Sequence, residues 1–200
     1  TDNQIISLIK GDTIISALLR SEMHSNDDFY VHVLRVLNGI LRRCTIGSSL
    51  TNRMIGHFND QCKINFPSRL VERLIENMQE NFIKTRALND TNKLPIFKMV
   101  LTSIRNVLSN FTVVLDEPFI NETFNSILNA TKYFLTSSTN AKGLQSIKLN
   151  NSHVVDQFFA IIERLSSLAF KINLKAEDYN TIFLWLTDKE KKNKILMWKV

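Results

Sequence analysis

Glycine and proline are scarce in this chain, five and three among 200 residues. An α/β enzyme of this length spends glycine on phosphate loops and tight turns, and a sheet protein needs turn residues between strands. The shortage weighs against both and fits helices joined by short polar links. Cysteine is scarcer still, with only Cys44 and Cys62. Two thiols in a chain this long make no disulfide framework and fit a reducing compartment. The expected location is intracellular, nuclear or cytoplasmic. No apolar run approaches the roughly 18 residues that a membrane-spanning helix needs, and the opening residues carry no signal-peptide pattern.

Motifs that carry chemistry are also missing. There is no C-x-x-C or H-E-x-x-H pair. His57 and Cys62 stand five residues apart, with Cys44 distant, so no metal site is expected. Neither glycine-rich phosphate-binding pattern occurs, and no cofactor is expected. Carboxylates pair at Asp27-Asp28, Asp116-Glu117 and Glu177-Asp178. Each pair stands where a helix is expected to begin, so capping and the helix dipole account for it. The expectation is a protein that is not an enzyme and has no catalytic residue. Five N-x-S/T sequons occur, at Asn89, Asn110, Asn121, Asn129 and Asn150. The chain holds 21 asparagines and 30 serines plus threonines, which yields about three sequons by chance, so they carry little weight.

What is abundant is apolar residues at helical spacing. "NQIISLIK" and "DTIISALLR" predict two short helices, or one interrupted at Gly11-Asp12. The segment from Ser25 to Cys44 predicts a helix whose face is Phe29, Val33, Val36, Leu37, Ile40, Leu41 and Cys44. A shorter helix is expected near 49–59. Pro67, Pro95 and Pro118 each open a further helix, where the missing N–H costs nothing. Their apolar faces are Leu70, Val71, Leu74, Ile75, Met78, Phe82 and Ile83; then Phe97, Val100, Leu101, Ile104, Val107, Leu108 and Phe111; then Phe119, Ile120, Phe124, Ile127, Leu128, Phe134 and Leu135. Residues 136–151 are small and polar and predict a flexible internal loop. The helix after it, from Val154 to Phe170, is apolar around so much of its circumference that burial on two sides is expected. "AEDYNTIFLWL" repeats that habit.

The fold class read from this pattern is all-α. Short links make successive helices antiparallel. Units of about 40–50 residues per helix pair resemble the HEAT and armadillo class of α-solenoids, in which helix pairs stack side by side. The resemblance is architectural: no repeat consensus aligns the pairs, and the proline spacings of 28 and 23 residues are not one period. A globular helical bundle is the alternative. Residues 1–200 read as a single helical-repeat domain, a fragment of a larger protein.

The resemblance implies a non-enzymatic protein-interaction scaffold, with a partner protein or peptide laid along the helical surface in a larger complex. Aromatics that flank or leave the clean stripes are the expected anchors: Tyr30, Tyr133, Trp185 and Trp198. The net charge is +6, and Arg42, Arg43, Lys191, Lys192 and Lys194 are expected to steer an acidic partner. The alternative is an RNA- or DNA-binding helical-repeat module using the basic surface. Glu72 and Glu76 interleave with Arg69 and Arg73, which dilutes that basic surface. At the C-terminal end, Thr187 and Glu190 have the spacing of a capping box. They predict a new helix at Thr187, with the lysines in its first two turns.

Overall fold

The computed structural model describes residues 2–10, 27–62, 65–80, 94–137, 152–168 and 172–197. Among them the secondary structure is all-α, with eight α-helices and no strand. They are α1 (Asp2–Lys10), α2 (Asp27–Leu41), α3 (Ser49–Cys62) and α4 (Phe66–Met78), then α5 (Leu94–Asn110), α6 (Glu117–Ser137), α7 (Ser152–Leu168) and α8 (Ala176–Met197).

Local chemistry fixes several helix starts. The Asn65 side chain caps α4 by accepting from the Ser68 N–H at 3.1 Å. Asn59 Oδ1 accepts from the Phe66 N–H at 2.7 Å, so a second amide satisfies another donor at that end. Asp116 caps α6 by accepting from the Phe119 N–H at 2.8 Å. Pro67, Pro95 and Pro118 all fall in first turns, as their missing N–H requires. Between α2 and α3 the chain reverses through Gly47, whose φ of +79° suits a residue without a Cβ. Ser48 then opens α3 by accepting from the Thr51 N–H at 3.2 Å.

Helix α5 is the centre of the molecule. It packs against α2, α4 and α7. Its stripe of Phe97, Val100, Leu101, Ile104, Val107 and Leu108 is buried. So are Thr102, Ser103 and Asn106 on its other sides. A polar side chain in that position needs a partner. Thr102 Oγ1 donates to the Lys98 carbonyl at 2.8 Å, and Ser103 Oγ to the Met99 carbonyl at 2.9 Å. Asn106 Nδ2 donates to Asn38 Oδ1 at 3.0 Å, and Asn38 Nδ2 donates to the Met99 carbonyl at 3.2 Å. Asn110 Nδ2 donates to the Leu41 carbonyl at 2.8 Å. These amides fasten α2 to α5 inside an otherwise apolar interface.

The remaining contacts extend from this frame. Helix α1 lies on α3, α3 on α4, and α6 on α7. Phe58 of α3 stacks on Phe66 of α4 with centroids 4.6 Å apart, and Phe66 meets Phe111 edge-on at 6.2 Å. Ser68 Oγ donates to the Val114 carbonyl and accepts from the Val114 N–H, which holds the link after α5 against the start of α4. Gln79 Nε2 donates to Ser126 Oγ at 2.8 Å, tying the end of α4 to α6. Helix α7 packs on both α5 and α6, as its broad apolar surface requires.

Three expectations change. The buried face of α2 is rotated relative to the stripe read from sequence. Tyr30, Val33, Leu34, Leu37, Ile40 and Leu41 point inward, whereas Phe29 and Val36 are exposed. Both stripes have helical spacing, but burying Tyr30 and Leu34 continues in one line to Leu37, Leu41 and Cys44. The second change is at Thr187. No helix begins there: α8 runs unbroken from Ala176 to Met197. The Thr187 hydroxyl donates to the Phe183 carbonyl at 2.9 Å, one turn back in the same helix, so it caps nothing. The lysines then sit toward the carbonyl end of α8, where the helix dipole favours cations. Third, α8 does not repeat the two-sided burial of α7. The second short helix expected from "DTIISALLR", the apolar positions Phe82 and Ile83, and most of the 136–151 loop lie outside the described residues.

Candidate interaction surface

Helix α8 has two apolar sides, and only one is covered. Its inner side carries Asp178, Ile182 and Trp185. Trp185 meets Phe158 of α7 edge-on, with centroids 5.3 Å apart. Ile182 and Trp185 pack partly buried against the core. Asp178 is buried and forms an ion pair with Lys132 of α6. Ahead of α8, the Asn173 N–H donates to Asn121 Oδ1 at 2.7 Å. These contacts dock the start of α8 across α6 and α7.

The outer side is different. Tyr179, Phe183 and Leu186 recur at spacings of four and three, so they form one stripe. Their exposures are 57%, 67% and 42%, and Leu184 beside them is 64% exposed. Single exposed apolar residues are ordinary, but four large ones on consecutive turns of one helix make this side the candidate surface. The same helix continues through Lys189, Lys191, Lys192 and Lys194. Asp188 and Glu190 alternate with these lysines, so the apolar stripe is followed along the helix by a mixed, net-basic sequence.

The candidate residues read from sequence divide into groups. Trp185 lies at the base of the surface just described, half-buried on α7 rather than at its outer edge. Lys191, Lys192 and Lys194 lie on the backbone of α8. Arg42 and Arg43 are exposed just past the end of α2, where their N–H groups bond the Asn38 and Ile40 carbonyls. Tyr133 is on α6, with its side chain outside the described residues, and Trp198 lies outside them altogether. Tyr30 is not an exposed anchor: it is 4% exposed, in the core. Burial pushes its phenol pKa up, and the Asn77 side chain beside it softens that shift. The pattern misled there because an aromatic at the edge of one helical stripe is at the centre of the neighbouring one.

Sequence reasoning missed Tyr179, Phe183, Leu184 and Leu186. The available signal was that α8 has apolar residues all round its first three turns. It also missed Asp178, read only as a helix-start carboxylate, whose partner Lys132 is distant in sequence. The arginines of α4 are spent locally: Arg69 pairs with Glu72 at 2.9 Å and Glu76 at 3.4 Å, and Arg73 pairs with Glu76. Glu72 and Glu76 hold the Arg69 guanidinium above its ordinary value. Burial raises the pKa of the Cys44 thiol to about 11. It contacts Met54 Sδ at 3.4 Å, as a structural residue would. Among the described residues no three His, Cys, Asp or Glu side chains are grouped to hold a metal ion. Among the same residues no helix is long and apolar enough to cross a membrane.

Fold and surface define an all-α protein with a partly docked helix that is apolar on its free side. No family model, curated protein or solved structure matches the chain.

Proposed function

We propose that the chain is a non-enzymatic protein-interaction scaffold, a HEAT/armadillo-like array of helices presenting a surface to a partner protein or peptide within a larger complex. The observation that carries this reading is the outer stripe of α8. A helix anchored through Asp178, Ile182 and Trp185 holds Tyr179, Phe183 and Leu186 in solvent. Leaving that much apolar surface wet is unfavourable by about 25 cal/mol per Å² unless something covers it. The row α2–α5–α7 supports the stacked arrangement. These helices lie side by side in that order, and a layer of adjacent helices is what a stacked array contains. Cys44, a free buried thiol, fits an intracellular setting, nuclear or cytoplasmic.

The test is photo-crosslinking in living cells, with a photoreactive amino acid replacing Leu184 and, as control, exposed Glu163 on α7. Discrete protein adducts from position 184, absent from position 163 and lost with Phe183→Ser, are expected. Adducts to RNA or DNA, or none from position 184, would refute the reading.

A further inference from the structure

We infer that the seam between α2 and α5 binds the backbone phosphates of single-stranded nucleic acid. The site lies on other helices than the α8 stripe and goes beyond the scaffold reading. Charge distribution is the starting point. Residues 29–59 contain Arg35, Arg42, Arg43 and Arg53 but no aspartate or glutamate. Residues 94–115 contain Lys98 and Arg105, and again no acid. Those six cations equal the whole net charge of +6, so the rest of the chain sums to zero. Folding packs α2 against α5 and so sets two acid-free stretches side by side.

Asn38 lies in this seam, bonded to the Met99 carbonyl and to Asn106. Arg105 Nη2 donates to Asn106 Oδ1 at 3.1 Å, which holds its half-buried guanidinium at the same amide pair. Arg35 and Arg42 stand one turn to either side of Asn38 on one stripe of α2. The Arg42 N–H still bonds the Asn38 carbonyl, so the helical register extends to it. Both side chains are exposed. At 1.5 Å per residue, they are about 10 Å apart along the helix. On α5, Lys98, Thr102 and Ser109 recur with Arg105 at helical spacing, so that face is polar. Elsewhere the cations are compensated: Arg69 and Arg73 by Glu72 and Glu76, and Lys132 by Asp178. Among the described residues Arg35 and Arg42 have no carboxylate partner, and Arg105 has only the neutral Asn106 amide.

Three uncompensated guanidinium groups around one seam attract an anion. Their planar forks match phosphate oxygens, and amide and hydroxyl groups beside arginines are what nucleic-acid backbones are bound by. An acidic protein segment would need apolar anchors as well, which the polar face of α5 lacks. Phe29, 52% exposed, and exposed His32 precede Arg35 on α2. They offer rings on which unpaired bases stack, whereas the bases of a duplex are already stacked on each other.

The test is anisotropy titration of the full chain with fluorescent oligouridine, with duplex DNA and polyglutamate as competitors. Binding at about 10⁻⁴–10⁻⁵ M is expected, and three phosphate contacts give log K against log salt a slope of about −2. Arg35→Gln with Arg42→Gln should weaken binding about tenfold at low salt and flatten the slope by about 1.4. Arg69→Gln with Lys175→Gln removes the same charge elsewhere and should change affinity by less than about twofold. Circular dichroism and Tm confirm that both pairs fold, since Arg35 and Arg42 are exposed. Absence of oligouridine binding at low salt overturns the inference, and so does an equal loss in the control pair. Tighter binding of duplex or polyglutamate, or Arg35- and Arg42-dependent binding to phosphatidylserine vesicles without oligouridine binding, overturns it too. Protein crosslinks from position 184 report on α8 alone, so this inference and the scaffold reading fail separately.

Discussion

The buried amide pair between α2 and α5 gives a sharp test of the architecture. Asn106 Nδ2 donates to Asn38 Oδ1 at 3.0 Å, and both residues are buried. Replacing Asn106 with alanine leaves Asn38 Oδ1 without its donor, in a place water does not reach. An orphaned buried polar group costs about 1–3 kcal/mol. Asn38→Ala strands Asn106 Nδ2 in the same way. The Met99 carbonyl, which Asn38 also bonds, keeps the Ser103 hydroxyl as a donor, so the loss is concentrated on the amide pair. Each single variant should therefore lose about 2 kcal/mol, or about 4–8 °C in Tm for a chain of this size. The double variant orphans neither amide and should be less destabilised than the sum by about 1 kcal/mol or more. Urea unfolding followed by far-UV circular dichroism measures all four corners of the cycle. Asn52→Ala, at an exposed position of α3, is the control and should stay within about 0.5 kcal/mol. Additive single effects, within about 0.5 kcal/mol, would mean the amides do not depend on each other and would refute the account of the α2–α5 interface.

Three further outcomes follow from single contacts. Asn65→Ala removes the α4 cap and should cost about 1 kcal/mol in urea unfolding, while Asn65→Asp should retain most of it. Asp178→Ala breaks the link to Lys132 and should cost about 1.5 kcal/mol, because Lys132 can still reach water; amide exchange should rise in the first turns of α8 and not in α5. Folding raises the Cys44 pKa from 9.0 to about 11 by burial, with a hydrogen bond to Thr51 partly offsetting it. The raised value means its contribution to stability is full below pH 9.0 and fades as pH climbs through about 11. The Tm of wild type should therefore fall more steeply over that window than that of Cys44→Ala, and peptide mapping should find native Cys44 resistant to iodoacetamide near neutral pH.

Helix identity was legible in the sequence because it is written in short-range spacing. Every position of the stripe from Phe97 to Phe111 is buried, and each proline stands in a first turn. Rotation and neighbourhood were less legible. The choice between Phe29 and Tyr30 as the inward aromatic of α2 depends on where α5 lies, which no local pattern records. Nothing in Thr102, Ser103 or Asn106 marks α5 as surrounded; their burial follows from partners on their own helix and on α2. Of the candidate surface, Trp185 and the lysines were named from the sequence, and Trp185 lies on the covered side of α8. The stripe of Tyr179, Phe183 and Leu186 was not named, because apolar residues on every side of a helix read as core. Only the placement of α7 and α6 shows which side is taken.

The central position of α5 also has a kinetic consequence. Its contact with α4 closes across one link, whereas α2 reaches it across all of α3 and α4, and α7 across the whole of α6. Loop-closure entropy grows with the length of chain enclosed, so of the three contacts of α5 the one with α4 is the cheapest to form. The α2 and α7 walls then condense on a surface already made. Substitutions at Leu74 or Leu101 should slow folding, while those at Leu37 or Phe158 should mainly hasten unfolding. A middle helix shared by three neighbours thus builds its contacts in a preferred order.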